Sequence, residues 1–326
     1  MVRIALDGMG GDLAPEATVK GAVLAKREGA EVVIVGNKER ILPFLGAEEI
    51  EILHTEEAVG MDEAPSYALR RKRGSSMNRA LELVKMGYAK GCVTAGNSGA
   101  ALAFGIFTLG RIEPIDRPAI TTLHPNRRGG VTILIDAGGN VDCRPMHLVQ
   151  FALMGDAFMR CAYKKDNPRI GLLNNGEEET KGNELTSKVH GLLKEMPLNY
   201  VGFVEDIYDG KADVVLSDGF VGNVALKISE GIVETFFCFL KEALEKGLRR
   251  KIGALLLRDA LGELRRKMDF EEIGGAPLLG VDGILIICHG RSGERAIKNA
   301  ILMAKRYAEE GLLEAMKEAL RESKEA

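Results

Sequence analysis

The chain has 326 residues with 44 basic and 47 acidic side chains, a formal charge of −3, which excludes a generally basic nucleic-acid binder. Hydrophobic residues make up 46% and charged residues 28%, ordinary globular usage that argues against disorder. Trp is absent and aromatics reach only 5%, so no stacking platform for single-stranded nucleic acid is expected.

The five cysteines (Cys92, Cys143, Cys161, Cys238, Cys288) form no C-x-x-C pair and read as reduced thiols. The five histidines lack ligand spacing, so neither a metal site nor a cofactor is expected. The N-terminus runs from Met1 straight into strand-like Arg3-Ile4-Ala5-Leu6, and no apolar run approaches the ~20 residues that span a bilayer. The expectation is a cytoplasmic protein whose contact with a membrane is peripheral.

In chain order, short apolar runs end in Gly, Asp or Asn: Ile4–Gly8, Val32–Gly36, Cys92–Gly96, Val131–Asp136, Ile170–Asn174 and Val214–Gly219, with Ile284–Cys288 last. Runs without alternation predict strands covered on both faces. Helical patterns separate them at Pro15–Gly29, Met77–Gly87, His147–Tyr163, Asn183–Glu195, Val224–Gly247 and Glu294–Glu310. The predicted fold is α/β, an open, mainly parallel sheet sandwiched by helices, in a single domain over 1–326 with a helical excursion near 235–275. In such sheets ligands bind at the carboxyl ends of strands, which directs attention to the glycine-rich strand tips.

Asp7-Gly8-Met9-Gly10-Gly11-Asp12 follows the first strand. Its glycines can bring backbone N–H groups to an anion, or it is a tight turn in which Asp12 caps the next helix. Thr94-Ala95-Gly96-Asn97-Ser98-Gly99 adds hydroxyls and an amide, but it matches neither a Walker A loop nor a nucleophile elbow. Ser98 is therefore read as a hydrogen-bond donor or N-cap. Lys181-Gly182-Asn183 places a cation at a helix start. Asp218-Gly219-Phe220-Val221-Gly222-Asn223 puts an amide donor at the mouth of a long helix, either to stabilise an oxyanion or to cap the helix. His289-Gly290-Arg291 ends the last strand.

Two surface features follow. Arg70-Arg71-Lys72-Arg73 is the densest cationic run of the N-terminal half, either a docking patch for an acidic partner or a solvated face. Between 248 and 268 apolar residues recur every four positions among seven Lys and Arg, a basic amphipathic pattern with Leu255, Leu256 and Leu257 at its tip. Gly253 and Gly262 break it into a potential helical hairpin. It fits a membrane surface or a helix packed on a partner subunit.

Taken together, M-G-G-D at 9–12, R-R-K at 70–72, A-G-N-S-G-A at 95–100, I-D-R-P-A at 115–119, N-V-D at 140–142, K-G-N-E-L-T at 181–186 and D-G-F-V-G-N-V at 218–224 resemble the acyl-carrier-protein-dependent phosphate acyltransferases of bacterial fatty acid and phospholipid synthesis. The match runs in order over nearly the whole chain. Gly8, Gly139 and Arg291-Ser292-Gly293 depart from the family pattern.

The resemblance implies acyl transfer from acyl carrier protein to inorganic phosphate, in a homodimer with a fold related to isocitrate and isopropylmalate dehydrogenases and to phosphotransacetylase. It implies catalytic roles for Lys181 and Asn223. Phosphate or substrate binding falls to Asp7, Gly10, Gly11, Asp12, Gly96, Asn97, Ser98, Gly99, Asp218, Gly222 and His289. Carrier docking falls to Arg70–Arg73. The alternatives are a nicotinamide-dependent dehydrogenase, which lacks its G-x-G-x-x-G, a coenzyme A-dependent phosphotransacetylase, and a non-catalytic membrane-docked scaffold.

Overall fold

The apolar runs form the strands predicted for them. In a computed structural model that describes residues 2–268 and 270–325, the strands are β1 (Arg3–Asp7), β2 (Glu31–Gly36), β3 (Glu51–His54), β4 (Gly91–Thr94), β5 (Ala119–Pro125), β6 (Val131–Ile135), β7 (Ile170–Leu173), β8 (Tyr200–Val204), β9 (Val214–Leu216), β10 (Ala276–Leu279) and β11 (Ile284–Ile287). All join one sheet in the order β3-β2-β1-β4-β11-β10-β5-β6-β9-β7-β8.

The helices are α1 (Glu16–Arg27), α2 (Lys38–Leu45), α3 (Pro65–Arg71), α4 (Ser76–Lys85), α5 (Ser98–Phe104), α6 (Pro145–Tyr163), α7 (Glu184–Lys194), α8 (Gly219–Glu245), α9 (Leu248–Leu256), α10 (Arg258–Met268), α11 (Phe270–Ile273), α12 (Glu294–Glu309) and α13 (Leu312–Glu325). A π-helical turn, Gly105–Leu109, continues α5.

The sheet has two parallel blocks of opposite sense. β3, β2, β1, β4 and β11 run one way, and β6, β9, β7 and β8 run the other. The antiparallel strands β10 and β5 reverse the direction between them. This seam was not legible in the sequence, because β10 carries Pro277, a residue that ordinarily argues against a strand, and β5 ends at Pro125. Edge strand β3 is largely exposed and has no continuous apolar run to reveal it.

One face of the sheet buries a large core under α1, α6, α12 and α13. The other is covered by α3, α4 and α5 over the first block and by a small cluster below the start of α8. Along its 27 residues α8 buries only Gly219 and Gly222. The segment from 248 to 268 is two helices, neither with a buried residue. They meet at Leu257, whereas Gly253 and Gly262 both lie within helices, since a lone helical glycine costs only about 1 kcal/mol.

Candidate functional site

The tips of β1, β4 and β11, neighbours in the sheet, form a first cluster around Asp7, which is 1% exposed. The Thr94 hydroxyl donates to Asp7 Oδ2 at 2.7 Å and the Met9 N–H to Oδ1 at 3.2 Å, with Ser76 and the Gly10 amide as further donors. Burial nevertheless pushes the carboxyl above its usual range. Gly96 N–H donates to Thr94 Oγ1 at 3.0 Å, and Asp12 N–H to the Gly290 carbonyl at 2.7 Å, which stitches two loops together.

Asn97 caps α5 by accepting from Ala100 N–H at 3.0 Å, while its Nδ2 donates to the Met61 and Glu63 carbonyls at 2.7 and 3.0 Å. The cap is thus Asn97, and Ser98 is the exposed first residue of the helix. Asp12 does not cap α1, whose N-cap is Pro15. His289 is exposed, with Nδ1 accepting from Arg291 N–H at 3.2 Å.

The amides of Met9, Gly10, Asp12 and Gly96 donate inside the cluster, so the loop 7–12 is braced around its own carboxylate. An internal acceptor outcompetes solvent for these buried donors because an unmet one costs about 1–3 kcal/mol.

The ends of the neighbouring strands β6 and β9 form a second cluster around Asp136, which is fully buried. Asp136 accepts from the N–H groups of Ile120, Gly138, Gly139 and Asn140 and from Asn140 Nδ2, at 2.6–3.2 Å. Its pKa is raised by burial against those donors. The first turn of α8 is laid on this loop. A Cβ at Gly219 would stand 2.7 Å from Asn140 N, and one at Gly222 would overlap the Asp136 carbonyl oxygen. Glycine at both positions lets the helix touch backbone, and Asn223 then faces Gly138, with its Cγ 3.4 Å from where a Cβ of Gly138 would be.

Asp218 is the cap of α8, accepting from Phe220 and Val221 N–H at 2.9 Å each. Asn223 therefore lies inside the helix and is not consumed as its cap. The helix starts five residues before the predicted Val224 because the Asp218 cap outweighs two helical glycines.

Lys181 stands in the loop after β7, next to β9 in the sheet, at the same end as Asn223. It is exposed and precedes the α7 cap, Asn183. Gly182, at φ +100°, donates its N–H to Asn175 Oδ1 at 2.9 Å.

Sequence reasoning missed Asp136, although it follows a strand and precedes paired glycines just as Asp7 does. It also missed the cationic rim of this cluster. Arg117 Nη1 donates to the Asp142 carbonyl at 2.9 Å. The pKa of His147 is lowered by burial and then by the charges of Arg117 and Arg144. Burial and the nearby carboxylates push the Cys143 thiol up to about 12, which removes it as a thiolate nucleophile.

Of the predicted docking run, Lys72 is turned inward to the Glu63 carboxylate and the Ala58 carbonyl, leaving Arg70, Arg71 and Arg73 exposed. Leu255, Leu256 and Leu257 are 69%, 81% and 55% exposed.

A family model described as "Fatty acid synthesis protein" matches residues 2–315. The phosphate acyltransferase of Geotalea uraniireducens is 49% identical over 330 residues, covering 99% of this chain and 95% of that protein. That of Geobacter sulfurreducens is 47% identical, covering 98% and 94%. Among solved structures, a phosphotransacetylase from Streptococcus pyogenes aligns with a TM-score of 0.59 at 18% identity over 94% of both chains. A putative 4-hydroxythreonine-4-phosphate dehydrogenase from Salmonella typhimurium aligns at 0.57 and 14% identity, over 94% of this chain and 99% of that one. At such identities these last two establish the shared fold. The full-length match to the family model and to these relatives shows that this chain belongs to the phosphate acyltransferase family of fatty acid and phospholipid synthesis.

Proposed function

We propose that the protein transfers the acyl group of an acyl-carrier-protein thioester to inorganic phosphate, releasing acyl phosphate and free carrier. The observation that carries the mechanism is the placement of Asn223, uncommitted to capping and backed by Gly138, at the strand tips that also present Lys181. Phosphate is its own nucleophile: an oxygen attacks the thioester carbon, the C–S bond breaks, and the thiolate leaves to take a proton from water. Catalysis is then positioning plus charge stabilisation. Lys181 meets the phosphate, and Asn223 Nδ2 donates to the oxyanion of the tetrahedral intermediate. Ser98 and Gly99, held by the Asn97 brace, face the phosphate from the first cluster, with Asp12 and His289 at its rim.

The two clusters end blocks of opposite sense, yet a sheet twists by about 20–25° per strand. Six steps separate β1 from β9, roughly 120–150° in all, which supports the two sets of tips turning toward one cleft. The α8 stripe Phe220, Val224, Ile228, Ile232, Phe236 and Phe239, each 44–65% exposed, supports a homodimer across this helix, because monomers rarely leave such a face open. The exposed leucines at 255–257, among the basic residues of α9 and α10, support peripheral binding to a membrane, where an acyl phosphate product partitions. Among the described residues no helix is long and apolar enough to cross one.

The test is an acyl-carrier thioester incubated with and without phosphate, with free thiol and acyl phosphate measured. Phosphate-independent cleavage or none at all defeats the proposal. Lys181→Ala and Asn223→Ala should each lower turnover by about 10²–10³ while melting normally. The second reading, a coenzyme A-dependent phosphotransacetylase, is favoured by the fold shared with the streptococcal enzyme, and competition between the two thioester donors separates them.

A further inference from the structure

The first block carries a cavity of about 590 Å³ between α3, α4 and the π-helical turn, lined by Leu69, Phe104 and Phe107 with Arg70, Arg73 and Thr108. Its size lies within the range of about 300–1,000 Å³ usual for small-ligand sites. We propose that this cavity seats the phosphopantetheine arm of the carrier-linked substrate, with Arg70 and Arg73 on its phosphodiester. The inference rests on the acyl-carrier reading above.

The charges single out this place. Five cations lie close together here, Arg70, Arg71, Lys72, Arg73 and Arg79, and two are neutralised: Lys72 by Glu63 and Arg79 by Glu82, the latter at 3.3 Å. Arg70 and Arg73, which line the cavity, have no carboxylate partner among the described residues. Arg73 Nε donates only to the Leu69 carbonyl, at 3.3 Å. Glu82 also reaches the wall, but Arg79 and Asn78 occupy its oxygens. The result is a site with two guanidiniums free to make charge-assisted bonds to an anion.

The wall is unusual in its backbone. After Phe104 the helix widens into a π turn, a form rare in proteins and frequent at functional sites. The turn leaves Phe107 75% exposed at the mouth and directs Thr108 Oγ1 to Asn78 Oδ1 at 2.7 Å. An acyl tail would call for hydrocarbon on every side. The arm has a phosphodiester, a gem-dimethyl carbon and two amides in sequence, and the cavity offers guanidiniums, apolar side chains and the hydroxyl oxygens of Ser66 and Thr108 to match.

The cavity is also wired to the reaction end. α5, about 10 Å long by its residue count, has the cavity at its foot and the Asn97 brace at its head. α3 links the same two places, since Pro65 packs on Gly99 and Asn97 holds the Met61 and Glu63 carbonyls just before it. An arm seated in the cavity would point its thioester along α5 toward the glycine-rich tips.

Two donors with the same acyl group test this: the carrier thioester, and an N-acetylcysteamine thioester that lacks the phosphodiester and pantoate. The R70Q/R73Q double variant should raise KM for the carrier donor at least tenfold and leave KM for phosphate unchanged. The truncated donor should respond by less than twofold, and R40Q, a charge loss on α2, should affect neither. Equal losses on both donors, or none on either, overturn the assignment. A Phe107→Asp variant gives a second reading: its carrier KM should also rise, whereas a change in dimerisation with no change in KM would assign the cavity mouth to the partner copy and overturn the proposal. If wild-type protein cleaves neither thioester in a phosphate-dependent way, the acyltransferase reading fails first, before any variant is compared.

Discussion

The two strand-tip clusters solve one problem with different materials. Each ends a buried strand in a buried aspartate, followed by glycines that let the next loop fold back onto the carboxylate. Around Asp7 the donors come from several elements: Thr94 at the end of β4, Ser76 at the head of α4, and the amides of Met9 and Gly10. Around Asp136 most come from its own loop, residues 138–140, with Ile120 of β5 added. The first carboxylate ties separate elements to one another. The second shapes a single loop into a platform for α8, and Asn223 stands on that platform. The difference predicts that damage at either cluster costs stability, and that damage at the second costs more turnover.

The largest expected effects come from filling the closest glycine approach in each cluster. Gly222→Ala would drive a methyl into the Asp136 carbonyl, with Asp136 C at 3.0 Å and Ala137 Cα at 3.3 Å leaving it no exit. Backbone cannot yield as a side chain does, so the first turn of α8 must lift, carrying Asn223 away from Gly138. A displacement of an ångström is enough to cost about 10² in rate, so turnover should drop at least that far, with stability falling by about 1–3 kcal/mol. Gly10→Ala meets Asp7 Oδ2 and Gly96 N, the latter at 2.8 Å. It should cost as much stability but less turnover. Measured together by denaturant titration and steady-state kinetics, equal turnover losses would erase the distinction between the clusters.

A smaller and sharper contrast comes from Asp→Asn at the two centres. Every partner of Asp136 is an N–H, so an amide NH2 placed there confronts donors with a donor. Asp7 faces the hydroxyls of Thr94 and Ser76, which can rotate to accept. Asp136→Asn should therefore destabilise by about 1–3 kcal/mol more than Asp7→Asn, the range for one unmet buried group. Melting of the two variants decides it, and the reverse order would mean that the donors at 138–140 rearrange freely.

How much of this was readable in the sequence follows from the range of each cause. The long apolar runs of β1, β2, β4, β6, β7, β9 and β11 announced themselves, because a strand buried on both faces must be apolar throughout. Strands β3, β5, β8 and β10 did not, since their place depends on neighbours distant in the chain. At the site, local order was visible: Gly219, Gly222 and Asn223 stood out at a helix start. What each amide and carboxylate bonds to was not. Asn97 looked like a ligand-facing group, yet all its hydrogen-bonding atoms are taken by Ala100, Met61 and Glu63. Its acceptor bond is local, but its donor bonds span more than thirty residues, and no spacing rule reports them. The inward turn of Lys72 escaped for the same reason, because Glu63 decides it.

The smallest expected effect concerns pH and tests whether the two carboxyls share the same electrostatic condition despite their different donors. Burial raises both pKa values above the usual aspartate value of 3.8. A carboxyl raised in the folded state takes up its proton there more readily than in the unfolded chain. Its contribution to stability is therefore fully present below the unfolded value and is lost as pH rises through the folded one. An asparagine does not titrate, so it lacks this dependence. The stability of wild type relative to Asp7→Asn should increase as pH falls from 7 toward 4, and likewise relative to Asp136→Asn. Chemical denaturation of the three proteins across that interval gives both slopes. A slope of opposite sign at Asp136 would show that its donors outweigh burial, making its loop a nest for charge and leaving Asp7 alone in preferring its proton.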